Sequence, residues 1–166
     1  MAAPYREAHA PTAAQRATGL LLRPGVPTDD YNFVRQSWLR NYRETGPAKK
    51  QPQRSFYRYH HDIVDGLLHR PDTRVWVASL TTDPDRIYGW LCTSEAWQPR
   101  IQVVHYVYVK SMYRGNGLAR RLFARAGIKR DGLVVYTFRN RWGIRLAAKV
   151  PGSEFMPIED FLKETA

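Results

Sequence analysis

The chain has 166 residues, 43% of them hydrophobic, enough for one buried core and too few for two independent domains. Five Trp and ten Tyr exclude a chain disordered throughout, and no apolar run approaches the ~18 residues of a membrane span. The formal charge is +11, and residues 110–149 hold eleven Lys or Arg against one acid, Asp131, a net +10 of that total. Such a concentrated field predicts an anionic partner, either a phosphorylated cofactor or a nucleic acid. The lone cysteine, Cys92, excludes an internal disulfide and a cysteine zinc site, and its apolar neighbours predict a buried core thiol. With no hydrophobic signal segment at the start, the chain reads as cytoplasmic.

Residues 1–17, rich in Ala, Pro and Thr, read as a flexible leader ahead of a single domain over 18–166. Gly19–Arg23 predicts a short buried strand stopped by Pro24 and Gly25. Thr28 is placed to cap a helix over 29–43, with Val34, Trp38 and Tyr42 on its core face. The stretch Gly46–Pro52 predicts an exposed loop, and a second helix runs from Ser55 until Pro71 stops it. Arg74–Leu80 and Arg86–Glu95 predict a hairpin, and Val103–Lys110 a central strand. A helix over 117–126 follows, with Gly127 as a left-handed C-cap, then a strand over 132–138 and a helix over 141–149. The tail around Phe155, Ile158 and Phe161 can add a last strand or edge. An antiparallel run followed by a βαβ unit gives a mixed α/β, or α+β, class.

The turn Arg114-Gly115-Asn116-Gly117-Leu118-Ala119, between a strand and a helix, has the parts of an anion site: glycine-exposed backbone amides and a helix N-terminus. It is neither a P-loop nor a dinucleotide fingerprint, because the required glycines and the Lys-Ser/Thr pair are missing. The segment Tyr106–Ala119 resembles the coenzyme A motif of the GNAT superfamily of N-acetyltransferases, Arg/Gln-x-x-Gly-x-Gly/Ala, with Arg114, Gly117 and Ala119 in the defined positions. The order of elements over residues 18 to 150 agrees, and the resemblance points to a small, single-domain, phage-type member.

That resemblance implies a mostly antiparallel, splayed sheet flanked by about four helices. It also implies acetyl-coenzyme A as co-substrate, an amine on a small molecule or protein as acceptor, and no metal. The cofactor would meet Tyr108, Val109, Arg114, Gly115, Asn116, Gly117, Leu118, Ala119 and Arg120, with its pantetheine arm added as a strand along residues 106–109. The Val109 amide would meet the oxyanion. His105 is the candidate base, acting through water, against a reading as a strand histidine satisfied by backbone; Glu95 is the second candidate, against an exposed strand end. Tyr57, Tyr59, His60 and His61 on the second helix are candidate acceptor contacts, while Trp38 and Tyr42 read as core. The family's usual Tyr general acid after the fifth strand is missing, since residues 139–149 hold no Tyr. Two other readings stay open: a nucleic-acid-modifying enzyme like the phage Mom-type proteins, and a non-catalytic module that binds coenzyme A or nucleic acid.

Overall fold

The computed structural model describes residues 19–95, 98 and 100–166; the expected leader, 1–17, lies outside them. Strand β1 (Leu20–Pro24) leads into α1 (Pro27–Thr45) and α2 (Gln53–Leu68). Three antiparallel strands follow: β2 (Thr73–Leu80), β3 (Gly89–Ser94) and β4 (Ile101–Val109). Helix α3 (Leu118–Arg125) crosses to β5 (Leu133–Tyr136), and α4 (Arg141–Ala147), β6 (Ser153–Phe155) and α5 (Ile158–Glu164) complete the chain. The six strands stand in sequence order, antiparallel from β1 to β4 and parallel from β4 to β6. Among the described residues five helices flank them where about four were expected, because the tail supplies both a strand and a helix.

Local chemistry moves several boundaries. Helix α1 begins at Pro27, whose missing N–H costs nothing in a first turn, so Thr28 lies inside the helix and is not its cap. The exposed Val26 amide is met instead by Asp30 Oδ2 at 2.7 Å. Buried Asp30 is in turn gripped by Arg23 through both nitrogens, at 2.5 and 2.9 Å, which ties α1 to β1. The expected loop after α1 contains a 3-10 turn, Pro47–Lys50, that buries Ala48.

Alternation along the strands divides the core between the two faces of the sheet. On one face Val75, Val77, Trp90, Val103 and Tyr106 meet α1, α2 and α5. On the other Ala78, Leu91, Val104 and Val134 meet Leu118 and Leu122 of α3. Trp38 is fully buried at the centre of the first face, stacked on Tyr106 at 5.1 Å and edge-on to Phe138 at 5.0 Å. Truncating it to Ala would cost roughly 3–5 kcal/mol. Cys92 is a buried thiol, as its neighbours predict. No described helix is long and apolar enough to cross a membrane.

Candidate active site

The site begins where two strands part. β4 pairs with β5 only over Ile101–Val104, and the last bond between them runs from the Thr137 amide to the Val104 carbonyl at 3.2 Å. Beyond it β4 continues for five residues with β3 on one side alone. The Lys110 amide donates to the carbonyl of Tyr88, the residue before β3, at 2.9 Å. By antiparallel alternation the backbone groups of Val107 and Val109 therefore face the open edge. The fork opens into a cleft of about 430 Å³ lined by β4, β5, α3 and α4.

At the outer end of β4 stands the loop before α3. Gly115 and Gly117 have φ of 83° and 73°, in the left-handed region that glycine tolerates. A Cβ on Gly115 would meet nothing within 4 Å, which leaves the loop backbone open to a ligand. Arg121 makes the first helical donation, to the Gly117 carbonyl at 3.1 Å, so the N-terminal amides before it have no intrahelical partner. Arg114 folds back so that its Nε donates to the Val109 carbonyl at 2.9 Å. Asn116 is exposed, Arg120 lines the cleft, Ala119 is half-buried and Leu118 is buried as the anchor of α3. Tyr108 turns its ring to the opposite face, stacked on Trp90 at 5.9 Å, and its backbone groups face β3, so neither belongs to the open edge where the cofactor contact was expected. Glycine-opened amides, a free strand edge and flanking cations fit a diphosphate on a long polar arm.

His105 sits at a bulge. Cys92 pairs with Tyr106 and Thr93 with Val104, leaving His105 as the extra residue on β4. It contributes to the cleft wall, but its ring points among core side chains. Nε2 lies 2.7 Å from Ser94 Oγ, Nδ1 lies 2.7 Å from Thr137 Oγ1, and Phe161 closes over the ring. Ser94 continues to Thr73 at 3.2 Å. Burial lowers the His105 pKa to about 3, with Asp72 opposing and Arg70 adding to the shift. The expectation of a base that reaches an amine through water therefore meets a ring with both nitrogens engaged, and the partners are side-chain hydroxyls, not a backbone carbonyl. Glu95 stands exposed at the end of β3 and pairs with Arg74 at 2.7 Å, the strand-end alternative.

The four residues expected at the acceptor do not form one cluster. Tyr57 and His61 face α1 and line a shallow groove with Arg35, Leu39 and Arg40. Tyr59 and His60 face α5. Tyr59 donates to Glu159 Oε1 at 2.8 Å. His60 is buried on Phe56, and its Nδ1 lies 3.0 Å from the Phe56 carbonyl, which fixes the proton on that nitrogen. Burial lowers its pKa, opposed by that hydrogen bond and by Glu159. Tyr42 packs between His60 and the cleft residue Phe138.

A polar network crosses the fork that the sequence reading does not contain. Asn140 caps α4 by accepting from the Gly143 amide at 2.6 Å, so its Nδ2 must face Tyr106 Oη, also at 2.6 Å. The phenol then donates to Asn41 Oδ1 on α1 at 2.7 Å. Burial raises the Tyr106 pKa above the ordinary phenol range, with Thr45 and Asn140 opposing. The Asn140 cap is foreshadowed by its place directly before the helix; the Tyr106 link has no local signal. Among the described residues no group of three His, Cys, Asp or Glu is arranged to hold a metal.

Comparison with known proteins agrees with this geometry. The chain is similar over most of its length to a possible acetyltransferase from Clostridium difficile 630, with TM-score 0.54, 16% identity, and 78% of this chain and 85% of that one covered. It is also similar to an aminoglycoside acetyltransferase from an uncultured soil metagenomic sample, in complex with sisomicin, with TM-score 0.51, 14% identity and coverage of 81% and 89%. At these identities the likeness shows the fold. No curated protein matches the chain in sequence. The sequence model of the Acetyltransferase (GNAT) family matches residues 31–127. The chain belongs to that family and is an N-acetyltransferase that takes its acetyl group from acetyl-coenzyme A.

Proposed function

We propose that the acetyl donor lies in the fork between β4 and β5 and that the acceptor is a cationic amine received beside Glu159. The observation that carries the reading is the free edge of β4 beyond Val104, continuous with the glycine-opened loop. Val107 and Val109 offer amides to the pantetheine arm and to a developing oxyanion, and Arg114, Arg120 and the amides of residues 115–119 hold the diphosphate. When bound, acetyl-coenzyme A supplies a thioester carbonyl for attack. Tyr106 and Asn140 fix the floor of the fork. Because its proton is already given to Asn41 Oδ1 and burial disfavours the phenolate that proton loss would leave, Tyr106 serves as a hydrogen-bonding post and not as the missing general acid.

Support for a cationic acceptor comes from Glu159, a carboxylate oriented by Tyr59 and joined to the cleft through His60, Tyr42 and Phe138. His60 keeps Nε2 without a hydrogen-bond partner among the described residues, which leaves a neutral imidazole lone pair on that side. Thiol release from acetyl-coenzyme A with a panel of amines tests the assignment. Glu159→Gln should raise KM for cationic amines several-fold with the donor KM unchanged, and an unchanged acceptor KM removes Glu159 from the site.

A nucleic-acid acceptor is the second reading, favoured by one observation: none of the eleven cations in 110–149 has a carboxylate within 4 Å among the described residues. Duplex binding that falls steeply with salt would support it.

A further inference from the structure

Trp142, in the first turn of α4, is approached by three guanidinium groups. Arg114 reaches it from the phosphate loop, with Cζ 5.1 Å from the ring centroid, and Arg141 and Arg145 approach to 4.9 and 5.1 Å. None of the three has a carboxylate partner among the described residues, whereas Arg23, Arg35, Arg70 and Arg74 each hold one. Arg114 uses only Nε, toward Val109, and no hydrogen bond from Arg141 or Arg145 is made within the described residues. Inside the cluster the Trp142 Nε1 proton is buried without an acceptor. A buried indole N–H among three uncompensated cations is a set of donors short of an anion. The helix that carries it buries no residue of its own and is held by side-chain hydrogen bonds at its two ends, the Asn140 cap and a donation from Ser153 Oγ to the Ala147 carbonyl at 2.8 Å.

We propose that Arg114, Arg141, Arg145 and Trp142 form a second anion site, for a phosphate monoester, which ties α4 to the phosphate loop when filled. It adjoins the diphosphate seat and shares Arg114 with it, but its other donors are side chains of α4, where the diphosphate seat uses the amides of residues 115–119. Guanidinium forks suit the paired oxygens of a dianionic phosphate, and the indole N–H adds one more donor. Two molecules carry that chemistry to this place: the coenzyme, through its 3′-phosphate, or an acceptor that is itself phosphorylated. The first source rests on the reading that the coenzyme lies in the neighbouring fork.

The test is calorimetric titration of the full chain and of the double variant Arg141→Ala/Arg145→Ala with coenzyme A, 3′-dephospho-coenzyme A and inorganic phosphate. Both substituted side chains are exposed, and an unchanged melting temperature confirms folding. If the coenzyme fills the site, wild type prefers coenzyme A over its dephospho form by about tenfold or more, and the double variant loses the preference while still binding the dephospho form. If a phosphorylated acceptor fills it, wild type shows no preference but binds inorganic phosphate with coenzyme present, and the double variant does not. A wild type that binds neither coenzyme yet loses phosphate binding in the variant keeps this site and removes the fork reading. A double variant that matches wild type in all three titrations, or a wild type with neither preference nor phosphate binding, overturns the proposal.

Discussion

Tyr106 Oη and Asn140 Nδ2 stand 2.6 Å apart across the gap where β4 leaves β5. One end of that bond belongs to a strand with a free edge, the other to the residue that caps α4. The separation of the two cleft walls is thereby set by a side-chain contact after the backbone ladder has ended.

Tyr106→Phe should keep the aromatic core and orphan Asn140 and Asn41. The expected loss is roughly 1–3 kcal/mol of stability, measured by urea unfolding, together with weaker donor binding from a less fixed α4. Because burial keeps the phenol neutral, no limb of the pH–rate profile should disappear. A lost limb would make Tyr106 a proton donor after all.

Gly117→Glu places a side chain at φ 73° and a carboxylate where a diphosphate must lie. The strain is of order 1–2 kcal/mol, so the protein should remain folded. Coenzyme A binding should vanish in calorimetry, and unchanged affinity would remove the loop from the cofactor site.

His105 predicts a pH dependence of stability. Its folded pKa, about 3, lies below the ordinary 6.5, so between those values the unfolded chain binds a proton that the folded chain does not. Stability is fully present above about pH 6.5 and falls as pH drops toward 3. His105→Gln should be less stable at neutral pH and should flatten that slope in unfolding midpoints between pH 7.5 and 4.5. A mutant with unaltered slope and a rate per folded molecule reduced about 100-fold would return the ring to catalysis.

Glu95→Gln removes an exposed pair with Arg74. Stability should change by no more than about 0.5 kcal/mol, and kcat should hold. A large fall in kcat with the acidic limb of the pH profile lost would identify Glu95 as the base.

What the sequence revealed depended on how local the cause was. The strand over 103–110 and the glycines at 115, 117 and 127 follow from short patterns, and they carry the cofactor loop. Pro27 overrode Thr28 by an equally local rule that the capping reading passed over. His105 shows the limit: its residue type and place on β4 suggested a base, while its partners, Ser94 and Thr137, are 11 and 32 residues away. A bulge decides which way the ring points, and strand alternation alone gives no sign of one. Tyr59 and Glu159 meet across 100 residues, a separation at which no spacing rule operates.

The position of Cys92 on β3 bears on how this enzyme can be watched at work. The only sulfhydryl of the chain is fully enclosed, and burial drives its pKa upward, so it presents almost no thiolate to a disulfide reagent. Coenzyme thiol liberated during turnover can therefore be titrated continuously against a silent protein background. The same enclosure makes alkylation of Cys92 a clock for opening of the central sheet: a slow, temperature-dependent labelling rate would report that opening directly, without added probes.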